Sequence, residues 1–198
     1  MLKTTIQTIK MNNRWASLTG QLLIAVPNID DSRFERSVIY VFSHTESDGA
    51  KGIVINKPAE KLLLKDIMSQ LNLGGTDVSF PPLLLGGPDK ITSGFILHSN
   101  DYRTLSTRIV TEDIYLTATQ DILQDIAHHK GPSEYIMALG CASWQKGQLE
   151  DELMSNVWLT APSSHQILFH TPYDDRWHIS LKNIGIDSYR LSAMAGKA

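Results

Sequence analysis

Two apolar runs on either side of one turn constrain this chain more than any other feature. Ser37–Phe42 and Lys51–Asn56 are rich in Val, Ile, Tyr and Phe, and Asp48-Gly49 lies between them. Asp-Gly tolerates the positive backbone angles of tight hairpin turns, so the pattern predicts an antiparallel β-hairpin with a longer loop. Beyond Ser37 the first run is apolar at every position. A strand of that kind has both faces covered and belongs in the interior of a sheet.

The remaining elements surround this hairpin. Gln21–Val26 reads as a strand ended by Pro27, and Pro27 to Arg33 has the composition of a loop. Leu64, Ile67, Met68 and Leu71 fall at the spacing of one helix face, and Gly74-Gly75 stops that helix. Leu83–Leu85, Phe95–His98, Arg108–Val110, Tyr115–Ala118 and Tyr135–Leu139 are short strand candidates, with Gly86-Gly87-Pro88 as a tight turn. Thr119 is placed to cap a helix that buries Ile122, Leu123 and Ile126, closed by Gly131-Pro132. Gln148–Val157 predicts a helix burying Leu149, Leu153 and Val157. Gln166–Phe169 reads as a last strand, and a helix from about Asp174 turns Trp177, Leu181 and Ile184 inward. Strands in runs with helices interspersed predict an α+β fold with a mixed sheet rather than a doubly wound one.

No Pro/Gly/Ser-rich or charged break divides the 198 residues, so one domain is expected over 20–190. Residues 1–19 read as a polar extension, with Met11 as an alternative start, and residues 191–198 as a frayed tail. No apolar run reaches the roughly 20 residues of a membrane span, and the first residues lack a signal-peptide core, so the cytoplasm is the expected compartment. With 18 Lys and Arg against 21 Asp and Glu, the net charge is −3, and the basic residues form no stripe. That balance argues against direct binding to a phosphate backbone. Cys141 is the only cysteine, which removes any intrachain disulfide and any cysteine-built zinc site. The seven histidines show no metalloprotease spacing. His165 and His170, five apart on a predicted strand, are expected to face opposite ways. No metal and no cofactor is expected.

Gly20, Leu23-Ile24-Ala25, Pro27, Asp31, Arg36-Ser37-Val38-Ile39-Tyr40, Asn56-Lys57-Pro58, Gly86-Gly87-Pro88, Gly94-Phe95 and His98 occur in one order with Leu139-Gly140, Trp144, Gly147-Gln148-Leu149-Glu150 and Trp158-Leu159. Taken together they resemble the YqgE/AlgH family of bacterial proteins, from about Gly20 to Asp187. The resemblance implies an α+β fold with a large, mostly antiparallel, barrel-like sheet flanked by helices. It implies no particular reaction or cofactor, and one member takes its name from a proposed regulatory role in alginate synthesis. Cys141 stands where relatives often carry Tyr, Ser143 where Gly is common and Lys197 where His is usual, so a shared thiol chemistry is not expected.

The candidate ligand-binding residues are Arg36, Ser37, His44, Asn56, His98, Trp144, Gln148 and Glu150. On the strand that Arg36 enters, Phe34, Arg36, Val38, Tyr40, Phe42 and His44 are expected to point to one side. A cation on an apolar strand needs an acceptor, and Asp31 and Glu150 are the expected partners. The functional reading is that Arg36 and His44 hold an anionic ligand or a phosphate, and the plainer alternative is that Arg36 bridges to Asp31 or Glu150 and only fixes the loop after Pro27. Gln148 and Glu150 open a helix, where an acidic side chain also complements the helix dipole. Trp144 is placed to stack on a ligand or to fill the core. Cys141, just past a strand, lacks the surroundings of a nucleophile elbow and reads as a small buried group.

These features predict a non-catalytic binding or regulatory module that holds a small-molecule ligand or a protein partner, with a homo-oligomer allowed. The alternative is a hydrolase-type enzyme using Glu150 and a His as acid and base, and a third option is a transcriptional regulator.

Overall fold

In a computed structural model, which describes residues 16–27, 29–71, 73 and 80–188, the predicted hairpin forms the middle of the sheet. Its arms are β2 (Val38–Thr45) and β3 (Gly49–Val54), paired antiparallel. Around them lie β1 (Gln21–Ala25), β4 (Leu84–Leu85), β5 (Asp89–Ser99), β6 (Arg108–Ile109), β7 (Ile114–Thr117), β8 (Tyr135–Trp144) and β9 (Trp158–Pro162). The order across the sheet is β6-β7-β5-β8-β3-β2-β1-β9. All these pairings are antiparallel, and the added β4 runs parallel to β8. The sheet curls into a half-barrel, and its helices are α1 (Leu64–Gln70), α2 (Asp121–Ala127), α3 (Gln148–Met154) and α4 (Arg176–Asn183). The expected α+β class with a mixed, mostly antiparallel, barrel-like sheet is what the chain adopts. Among the described residues no helix is long and apolar enough to cross a membrane. The expected tail, most of the N-terminal extension and Met11 lie outside the described residues.

β2 shows how local sequence places side chains on two cores. Val38, Tyr40 and Phe42 enter the larger core with Trp177 and Leu181 of α4, while Ile39 and Val41 enter a second core with Leu149 of α3. Val41 pairs with Gly52 and Ser43 with Lys51, so Phe42 is one residue too many and forms a β-bulge. A bulge resets the alternation. His44 therefore pairs with Ala50, a member of the second core, and does not share the side of Val38, Tyr40 and Phe42 as simple alternation predicts.

α4 fastens across β1, β2 and β9. Trp177 is buried, and its indole Nε1 donates to the carbonyl of Ala25, 2.9 Å away. Burying such a side chain stabilises the fold by about 2–3 kcal/mol. Neighbouring Arg176 is buried too, donating from Nε to the Thr171 carbonyl and from Nη1 to that of Ile55, with its guanidinium over the Tyr173 ring.

β8 crosses β4 and the Gly86-Gly87 turn at very close range. At Gly140 (φ +73°) a Cβ would lie 2.4 Å from the Gly87 carbonyl oxygen, and at Gly87 a Cβ would lie 2.2 Å from the Cys141 carbonyl carbon. Both positions need glycine for space as well as angle. They let β8 continue past its expected end at Leu139 to Trp144. Cys141 is therefore inside the strand and buried, not beyond it.

Three elements differ from expectation. Gln166–His170 is a π-helical turn, not a strand, closed by the Thr171 amide on the Gln166 carbonyl. Its i to i+5 geometry carries His165 and His170 to the same side, where both meet Glu134, at 3.0 and 2.6 Å. The predicted helix over Gln148–Val157 stops at Met154, Asn156 turns with φ +59°, and β9 follows, a five-residue strand ending in Pro162 that was not expected. Thr119 does not cap α2: its hydroxyl donates to Asp121, and Gln120 stands at the cap position.

Candidate functional site

The eight candidate residues occupy four separate places. Arg36, Ser37 and Asn56 surround the entry to β2. Arg36 has φ +51°, so the chain turns there and the strand begins only at Val38. Asn56 bridges the turn, accepting from the Val38 amide at 2.8 Å and donating to the Arg36 carbonyl at 2.9 Å. Ser37 is buried, and its hydroxyl donates to the Phe34 carbonyl.

The Arg36 side chain is exposed, and its guanidinium lies 5.7 Å from the centre of the Trp177 ring. The expected ion pair with Asp31 or Glu150 is not formed. Asp31 is gripped by Arg33 through a two-pronged contact of 2.7–3.1 Å, and Glu150 binds His44. The turn at Arg36 removes it from the strand face on which that pairing was premised.

His44 and Glu150 meet on the far side of the sheet from Trp177. The Leu18 amide donates to His44 Nδ1 at 3.0 Å, so the proton sits on Nε2, which donates to Glu150 Oε1 at 2.9 Å. The His44 side chain is 2% exposed. With both ring nitrogens engaged, the imidazole ties the chain before β1 to α3. The pair is arranged as a strut, with no ring atom free to exchange a proton with a substrate.

His98 lies at the opposite end of the molecule and is wholly buried. Its Nδ1 donates to the Ser99 carbonyl, and its Nε2 accepts from Thr117, whose oxygen in turn accepts from Thr107. Burial holds this imidazole below its ordinary pKa, since the charged form would lose its hydration.

Trp144 and Gln148 alone border a substantial cleft. It has a volume of about 550 Å³ and lies between the loop after β1, the start of β5 at Pro88-Asp89, the end of β8 and the α3–β9 connection. At its floor stands Glu152, which the candidate set did not include. The indole Nε1 groups of Trp144 and Trp158 both donate to Glu152 Oε2, at 2.8 and 2.7 Å, and Gln148 donates to Oε1 at 2.9 Å. Trp144 packs edge-on against Trp158, and Phe34 meets Trp158 in the same manner. The helix supplies the reason for this geometry. Gln148 and Glu152 are four apart on one face, while Glu150 is turned away toward His44. Arg33, Asp31, Asp30 and Asp89 complete the charged lining. The Arg33 contact holds the Asp31 carboxyl below its usual range. The signal for Glu152 was present in the sequence as Gln148-x-x-x-Glu152, yet its two indole donors come from different strands and could not be foreseen.

Among the described residues, no group of three or more His, Cys, Asp or Glu side chains is arranged to hold a metal ion. Cys141 is buried, 3.8 Å from the Ser143 hydroxyl, and burial pushes its thiol pKa up.

Fold and cleft together define a curled half-barrel α+β protein with a tryptophan-floored acidic cleft beside its central strand. The chain belongs to the AlgH-like family, whose model matches residues 22–189. It is 45% identical to a UPF0301 protein of Ruegeria pomeroyi over 184 residues, covering 91% of this chain and 99% of that one. The UPF0301 protein YqgE of Escherichia fergusonii is 41% identical over 187 residues, covering 92% and 100%. The solution structure of the AlgH protein from Pseudomonas aeruginosa superimposes with a TM-score of 0.73 at 34% identity, covering 93% of this chain and 97% of that one. The protein DIP2367 of Corynebacterium diphtheriae shares the fold, with a TM-score of 0.70 at 18% identity.

Proposed function

We propose that this protein is a non-catalytic binding module whose ligand seat is the cleft between Phe34, Asp89, Trp144 and Glu152. The observation that carries this reading is the clasp on Glu152. Two buried indoles and an amide fix one carboxylate at the floor of a cavity large enough for a small molecule. Such rigid placement is what a binding site needs and what a solvated surface carboxylate lacks. The alternative of a hydrolase built on Glu150 and a His gains nothing from His44, whose ring nitrogens are both engaged.

Tryptophan emission provides the test, because two of the four tryptophans border the cleft. Screening the full chain against a mixed set of cationic, neutral and anionic small molecules should find a class that shifts both emission and melting temperature. Gln148→Ala should weaken that response. If no class acts, or if the response survives Gln148→Ala together with Trp158→Phe, the cleft is not the seat.

A further inference from the structure

Resting on that reading of the cleft, we infer that its ligand is an organic cation, carrying an ammonium or guanidinium group on a body the size of a basic side chain. The charge of the lining is the first ground. Asp30, Asp31, Asp89 and Glu152 face a single guanidinium, that of Arg33, and Arg33 is already consumed by Asp31. Asp30 and Asp89 are exposed and come from different segments, one from the loop after β1 and one from the first position of β5.

The second ground is the state of Glu152. All three hydrogen bonds that it accepts come from neutral groups, and among the described residues no cation pairs with it. Its negative charge is fixed but not neutralised. A carboxylate has room for about four donors, so one position remains for a ligand N–H. Lys146 and Asp151 border an adjoining hollow that shares Glu152, and their opposite charges offset each other without neutralising it. The third ground is the aromatic wall. Phe34 is half-buried over Trp158 and presents ring surface beside the carboxylates, a pairing suited to a cation with a flat or apolar body. An anion entering the same space would meet uncompensated like charge and would have to shed its water.

Titration calorimetry of the full chain tests this, with arginine amide and spermidine as free cations, a tri-arginine peptide as a stand-in for a protein partner, and inorganic phosphate and citrate as anions. Cationic probes should bind, and raising salt from about 50 to about 500 mM should weaken them markedly. The double variant Asp30→Asn/Asp89→Asn, confined to exposed rim residues, and Glu152→Gln should each reduce affinity about tenfold, equivalent to about 1.4 kcal/mol. Peptide binding without binding of the free cations would assign the seat to a protein partner, and the reverse to a small amine. Binding of phosphate or citrate that depends on Glu152 would overturn the cationic assignment while leaving the cleft as a binding site. Cation binding that is unchanged in both variants, or absent in the wild type, would overturn it as well.

Discussion

The two ends of β8 each carry a polar network, but only one of them fixes a carboxylate at the floor of the 550 Å³ cleft. At its first residues, His98 pairs opposite Tyr135, and Thr107, Thr117, His98 and the Ser99 carbonyl form a chain in which both ring nitrogens of His98 have protein partners. Asp101 joins the same end, accepting from the Ser99 hydroxyl and the Ser133 amide. At its last residues, Trp144 and Trp158 converge on Glu152, and the carboxylate borders the cleft. A buried network whose donors and acceptors balance internally is a structural device. One that ends on an unneutralised charge beside a cavity has something left to bind.

The largest effect is expected from Glu152→Ala. It strands two indole N–H groups on side chains that are 5% and 3% exposed. Each unsatisfied donor costs about 1–3 kcal/mol, so a loss of about 3 kcal/mol should appear in urea unfolding. A loss below about 1 kcal/mol would mean that water readily replaces the carboxylate, and the contrast between the ends would disappear.

His98→Ala should cost about 2–3 kcal/mol through the cavity and the stranded threonine hydroxyl. The wild type should also lose stability in acid. The folded pKa of His98 lies below its unfolded value, so the unfolded state takes up the proton first. The contribution is therefore complete above the ordinary histidine range, near pH ~6.5, and is lost as pH falls from there through the lowered folded value. Unfolding measured across that window should show a slope that His98→Asn diminishes. An unchanged slope would place the acid sensitivity elsewhere.

Cys141→Ser, midway along the same strand, should cost only about 1 kcal/mol, since a hydroxyl can bond the nearby Ser143. The native thiol should label slowly with a thiol reagent at neutral pH, because burial keeps it protonated. Rapid labelling would show that β8 opens near its crossing with Gly87. The smallest effect belongs to Glu150→Gln, within about 0.5 kcal/mol. The amide oxygen still accepts from His44, and Glu150 Oε2 has no hydrogen-bond partner to lose. A large loss there would make the His44 strut as demanding as the Glu152 clasp.

Apolar periodicity and turn chemistry determined the architecture in advance. The β2–β3 hairpin, the α1 face of Leu64 and Met68, and the α2 face of Ile122, Leu123 and Ile126 all sit where their spacing predicts. Those signals are local, because a strand or helix writes its burial into residues two to four apart. What tertiary structure decided was which polar side chains meet. One extra residue at Phe42 moved His44 to the other face, and a positive φ took Arg36 out of the strand. A π-turn brought His165 and His170 together, and strands distant in sequence delivered two indoles to Glu152. Bulges, left-handed turns and helix wobbles cost little locally and are stabilised by packing around them, so no short stretch of sequence specifies them. Yet each reverses the direction of a side chain, and side-chain direction is what makes a site.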